Sequence, residues 1–136
     1  MKHIRFFLCV LGGYISGLAV ALFFVYAARA LNDGRLALSV VVLVPLIVFL
    51  FGWLYFKAVR EISWRQRIEA IAVWVGFIVI FDIALLLLWM KGSLSDIGAV
   101  SFTGYGLTAA ALFTAAYITT KPAPKLASPD LLLNAK

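Results

Sequence analysis

The sequence predicts an all-α fold, a polytopic membrane protein built as a four-helix transmembrane bundle. Three observations carry this. Of the 136 residues, 65% are hydrophobic and 13% are charged, whereas a soluble domain is about half apolar and about a quarter charged. The mean hydropathy is +1.06. Four apolar runs, at about 6–28, 36–56, 70–90 and 99–120, each reach the roughly 20 helical residues that cross a hydrocarbon core. The connections between them are too short for a soluble domain, so residues 1–120 read as one transmembrane domain and 121–136 as a flexible cytoplasmic tail.

The first run follows a basic start, "MKHIR", and ends in "YAARA", a small-x-small pattern. Its apolar stretch exceeds the about 7–15 residues of a removable signal peptide, so it is expected to remain as a span. Leu8 before Cys9 excludes a lipoprotein site, and a lone cysteine in an apolar helix reads as packing. Gly13, Gly17 and Ala21 recur at four-residue steps, a seam along which helix backbones approach in lipid. "LNDGR" then supplies Asn32, Asp33 and Gly34, a turn able to adopt positive φ and to join helices one and two as an antiparallel hairpin.

The second run carries Pro45 near its centre. Proline there removes a backbone donor and crowds the carbonyl of Val41, so a kink or a freed carbonyl is expected. In the connection, Ser63 and Gln66 stand at capping-box spacing, which starts the third helix near Ser63. Glu61, Arg65 and Glu69 are four apart and read as a solvated charge network. Trp53, Tyr55, Trp64 and Trp89 lie near run ends, where amphipathic rings favour the membrane interface.

Ser93 and Asp96 have capping spacing before the fourth run, which offers Gly106, Ala110 and Thr114 as a second small-residue seam. "FTGYGL", at 102–107, places Thr103 directly against Gly104 at the start of a full-length helix. A potassium filter needs a residue between them and a preceding pore helix, so these glycines read as close-contact positions. The tail has three prolines in sixteen residues, a composition that does not fold alone.

Nine of the twelve Lys and Arg residues fall at the N-terminus, in the second connection and in the tail. By the positive-inside rule both termini are expected in the cytoplasm, in a cell inner membrane of bacterial type. The net charge of +6 is then topological, and nucleic acid is not an expected partner. One histidine (His3) and one cysteine make no metal or haem ligand set. There is no Ser/His/Asp set, no phosphate loop and no second carboxylate in the runs, so no enzyme, cofactor or metal is expected.

The third run, however, contains Asp82 within "FIVIFDIALLLLW". A central Asp costs about 2.5–3.5 kcal/mol on insertion, and each Leu, Ile, Val or Phe returns about 0.3–0.6. The run has thirteen such residues, so it still inserts, with Asp82 turned inward and satisfied by other helices. At its depth lie Ser16, Tyr105, Thr108 and Pro45, whose freed Val41 carbonyl is a further partner. Two roles compete for this candidate site: hydrogen-bond glue between helices, and a protonatable or cation site of a small transporter.

With Trp74 followed eight residues later by Asp82 in "WVGFIVIFDIALLLLW", the layout resembles small four-helix bacterial inner-membrane proteins. Helix one, "RFFLCVLGGYISGLAVALFF", also resembles the opening of GtrA-like proteins, which implies movement of lipid-linked sugars. The ends of helices two and four read "WLYFKAVR" and "AYITTKPA", without that family's Asn-Arg pair. The size is similar to that of small multidrug transporters, whose membrane glutamate belongs in helix one, where this chain has Tyr14 and Ser16. The expectation is a non-catalytic accessory or interaction subunit, with a small oligomeric transporter or lipid-linked-sugar translocation protein as the alternative. The expected partners are the lipid bilayer and a homodimer or larger membrane complex.

Overall fold

A computed structural model describes residues 2–59, 61–88 and 98–120. Among them are four helices, α1 (Lys2–Leu31), α2 (Gly34–Ala58), α3 (Trp64–Leu88) and α4 (Ala99–Ile118), and no strand. By length and hydropathy α1, α2 and α3 can each cross a membrane. At 20 residues α4 is the shortest of the four. Trp89, Lys91, Ser93, Asp96 and the tail at 121–136 lie outside the described residues.

Helices α1 and α2 extend past their apolar runs because hydropathy marks the part that suits lipid, whereas the backbone ladder continues until a cap closes it. At the end of α1 that cap is a Schellman arrangement. Asn32 takes φ 52°, its N–H donates to the Arg29 carbonyl (3.4 Å), and the Asp33 N–H donates to the Ala28 carbonyl (3.0 Å). The Asp33 carboxylate then accepts the Arg35 N–H at 3.0 Å, capping α2. Within this turn positive φ falls on Asn32, and Gly34 serves as the first residue of α2.

α3 begins six residues before its apolar run because Ser63 and Gln66 close a reciprocal box. The Ser63 N–H donates to Gln66 Oε1 (3.0 Å) and the Gln66 N–H to Ser63 Oγ (3.3 Å). Arg65 pairs with Glu69 at 3.0 Å, and no Glu61–Arg65 pair forms.

α2 packs between α1 and α4, and α4 packs on α3, so the order around the bundle is α1, α2, α4, α3. The α1–α2 contact uses the predicted seam. A Cβ at Gly12 or Gly13 would meet the Phe51 side chain (2.8 and 3.4 Å), and one at Gly17 would meet Val44 (3.3 Å). The α2–α4 contact instead depends on Gly52, where a Cβ would stand 2.7 Å from Leu112 Cδ2 and 3.6 Å from Ala115 Cβ. The seam expected on α4 faces the other way. Gly106, Ala110 and Thr114 are exposed, and a Cβ on Gly106 meets nothing within 4 Å. The inward face of α4 is Tyr105, Thr108, Leu112, Ala115 and Ala116, continued by Thr119 just past its end, one helical face away.

The core gathers at the end of the bundle that carries the α2–α3 connection. Trp74, Phe56 and Leu112 are fully enclosed there with Val10, Val48 and Ile71. Tyr55 belongs to this core rather than to an interfacial belt. Its ring meets Phe6 at 5.2 Å and Trp74 at 6.4 Å. Trp64 is exposed and Trp53 half-buried, with Lys57 Nζ 4.4 Å from the Trp53 ring. Helix α2 continues unbroken through Pro45, which is buried.

Candidate functional site

On α3 the inward residues are Arg67, Ile71, Trp74 and Ile78, at steps of four, three and four, the spacing of one helix face. Four residues on, the same face presents Asp82. The helix that looks uniformly apolar in composition is thus held by a polar residue at each end of its buried stripe, about 22 Å apart at 1.5 Å per residue.

Arg67 is 1% exposed. Its guanidinium donates to the Ala116 carbonyl (2.8 Å) and to Thr119 Oγ1 (3.0 Å) in the last turn of α4, with the Phe56 ring 5.5 Å away. The last carbonyls of a helix lack intrahelical donors and carry its negative dipole end, so a cation is well placed there. Arg67 therefore fastens the start of α3 to the end of α4.

At the other end, Asp82 receives two phenols. Tyr14 on α1 donates to Oδ1 at 3.0 Å and Tyr105 on α4 donates to Oδ2 at 3.1 Å. The Tyr14 ring is oriented edge-on by Phe81 (5.5 Å) and Phe77 (6.3 Å), which stack on each other at 4.2 Å. One carboxylate thus joins three helices, and both of its oxygens act as acceptors.

Beside this cluster the bundle holds a cavity of ≈ 260 Å³. Its α2 wall, from Val40 to Val48 and including Pro45, is apolar throughout, while Asp82, Tyr14, Tyr105, Ser101 and Thr108 line it from α3, α1 and α4. No basic side chain lines it among the described residues. Nor is there a group of three metal-ligating side chains among them.

Of the expected partners, Tyr105 bonds Asp82. Thr108 is buried on the cavity wall without bonding Asp82, and Pro45 and Val41 line the same wall. Ser16 is half-buried, does not reach the carboxylate and does not line the cavity. Its place is taken by Tyr14, two residues earlier, because a phenol is long enough to cross the gap that bulky rings keep between α1 and α3. Gly13, Gly17 and Ala21 also line the cavity, so the α1 seam borders the site.

Tyr14 and Arg67 are the residues that sequence reasoning missed. In the sequence Arg67 counts only among the basic residues of the second connection, yet its four-residue step to Ile71 and seven to Trp74 put it on the buried face. Trp74 is fully buried and its Nε1–H has no partner among the described residues. Comparison of the chain with protein families, with curated proteins and with solved structures finds no match.

Proposed function

We propose that this chain is a small multi-pass protein of a bacterial-type inner membrane, with four spans and both termini in the cytoplasm. It acts without catalysis, as an accessory or interaction subunit of a larger membrane complex. The observation that carries this is the latch at Asp82. A carboxylate bonded by phenols from two other helices serves to set the relative positions of α1, α3 and α4, and it offers no nucleophile–base pair. The exposed stripe of Gly106, Ala110 and Thr114 on α4 leaves a face on which another helix can lie closely. α4 crosses as the fourth span in this reading, with Ser101, Tyr105 and Thr108 turned toward the cavity beside Asp82 and its length of 20 residues matching about 30 Å.

The test is isolation of the tagged chain from native membranes in mild detergent, with Asp82→Asn beside it. A defined heteromeric partner retained by both forms supports the accessory role, because Asn preserves a hydrogen-bond acceptor. A homodimer that takes up protons or cations only with Asp82 intact would replace that role with transport. The cavity beside Asp82 is what favours this second reading.

A further inference from the structure

We propose that the cavity beside Asp82 binds a small protonated amine carried on an apolar body, with its ammonium group against the Asp82 carboxylate. The inference goes beyond the accessory role and holds whether the chain acts alone or in a complex.

The two sides of the cavity differ in chemistry. α2 contributes only apolar wall residues, such as Val41, Val44 and Val48, whereas Asp82, Tyr105 and Thr108 gather on α3 and α4. Since α3 stands across the bundle from α2, the space is apolar on one side and acidic on the other, which is the shape of an amphiphile's complement. Sign selects among amphiphiles. The carboxylate is the sole formal charge on the wall among the described residues, so an anion is repelled and a cation is attracted. Asp82 already accepts one phenol on each oxygen, and each carboxylate oxygen has a second lone pair for an N–H donor.

A hydrated metal ion fits poorly. Hard cations take six or more oxygen ligands, and most of this wall is glycine and aliphatic residues, with Asp82 its one carboxylate among the described residues. An organic ammonium needs one charged partner and apolar surroundings for its body, and the wall supplies both. The volume of ≈ 260 Å³ lies below the about 300–1,000 Å³ of pockets for drug-sized ligands, which restricts the body to about one ring or a short chain.

The experiment uses the full chain in maltoside micelles, titrated with 2-phenylethylamine and with 2-phenylethanol, which keeps the shape but not the charge. The amine is expected to bind at least about tenfold more tightly than the alcohol, the equivalent of about 1.4 kcal/mol. Asp82→Asn should erase that difference. Gly104→Leu should weaken the amine by at least about tenfold, because Gly104 lines the cavity and a Cβ there meets nothing within 4 Å, leaving room for a side chain that occupies the site. Added phosphatidylethanolamine that displaces the amine identifies a lipid headgroup as the source of the same chemistry; no displacement identifies a free amine. Equal binding of amine and alcohol to the unsubstituted chain overturns the proposal, as does unchanged amine binding in Gly104→Leu, and neither result depends on Asp82→Asn folding. Co-purification decides the accessory role separately, so either idea can fail alone.

Discussion

Removing the two phenol hydroxyls that face Asp82, singly and together, measures how far this carboxylate holds the bundle. Tyr14→Phe and Tyr105→Phe each delete one bond, of 3.0 and 3.1 Å, and keep the ring packing. A bond to a charged group contributes about 1.5–3 kcal/mol in soluble interiors, but side-chain bonds between membrane helices average about 0.6 and reach about 1.7. The neighbouring cavity of ≈ 260 Å³ is roomy against the about 30 Å³ share of one water, so water replaces a single lost phenol. Each single substitution should therefore cost about 1 kcal/mol. The double variant leaves Asp82 with neither donor and should approach the about 2.5–3.5 kcal/mol cost of a central Asp. A coupling of about 1 kcal/mol beyond additivity follows. Reversible unfolding in mixed micelles of rising dodecyl sulfate content reads these values, with Asp82→Ala as the background in which both tyrosine substitutions should become nearly neutral. The reasoning is refuted if the double variant loses less than about 0.5 kcal/mol, or if the tyrosine substitutions cost as much without Asp82 as with it.

Gly52→Val forces a Cβ to 2.7 Å from Leu112 Cδ2, in a core that leaves Leu112 no exposed surface, and should destabilise by about 1–3 kcal/mol in the same assay. A Cβ at the exposed Gly106 meets nothing within 4 Å, so Gly106→Val should change the stability of the isolated chain by less than about 0.5 kcal/mol. Arg67→Ala loses the bonds of 2.8 and 3.0 Å to α4 and a buried stem, for an expected loss of about 3 kcal/mol. Arg67→Lys should recover only part of this, since the shorter, more strongly hydrated ammonium gives up the planar group that lies over the Phe56 ring. Ser63→Ala opens the capping box and should lower stability by about 1 kcal/mol, seen as faster amide exchange in the first turn of α3.

Much of the fold was legible because its signals are local. The end of α1 depends on Asn32 and Asp33, and the start of α3 depends on Ser63 and Gln66 closing on each other within four residues. The seam of Gly13 and Gly17 was readable for the same reason: small residues at four-residue steps permit close approach wherever a neighbour lies, and here Phe51 and Val44 of the next helix fill the gap. The identical pattern on α4 misled. Gly106 and Ala110 report that an approach is allowed on that face, not that this chain uses it, and the bundle took the face of Leu112 and Ala115 against Gly52 instead. Tyr55 misled similarly, since an aromatic near a run end suits both an interface and a core.

By itself the sequence determined the helical class, three of its four apolar runs as helices suited by length and hydropathy to a membrane, and the caps at the end of α1 and the start of α3. It also determined that Asp82 would need partners from elsewhere in the chain. Those outcomes follow from residue-by-residue transfer free energies and from hydrogen bonds that close within a turn. Only the tertiary structure decided that Tyr14 rather than Ser16 answers Asp82, that Arg67 is enclosed against the end of α4, and that the helices part to leave a cavity between an apolar wall and an acidic one. Which faces meet is set by the packing of all four helices at once, because each side chain's reach counts only after the distances between helix axes are known.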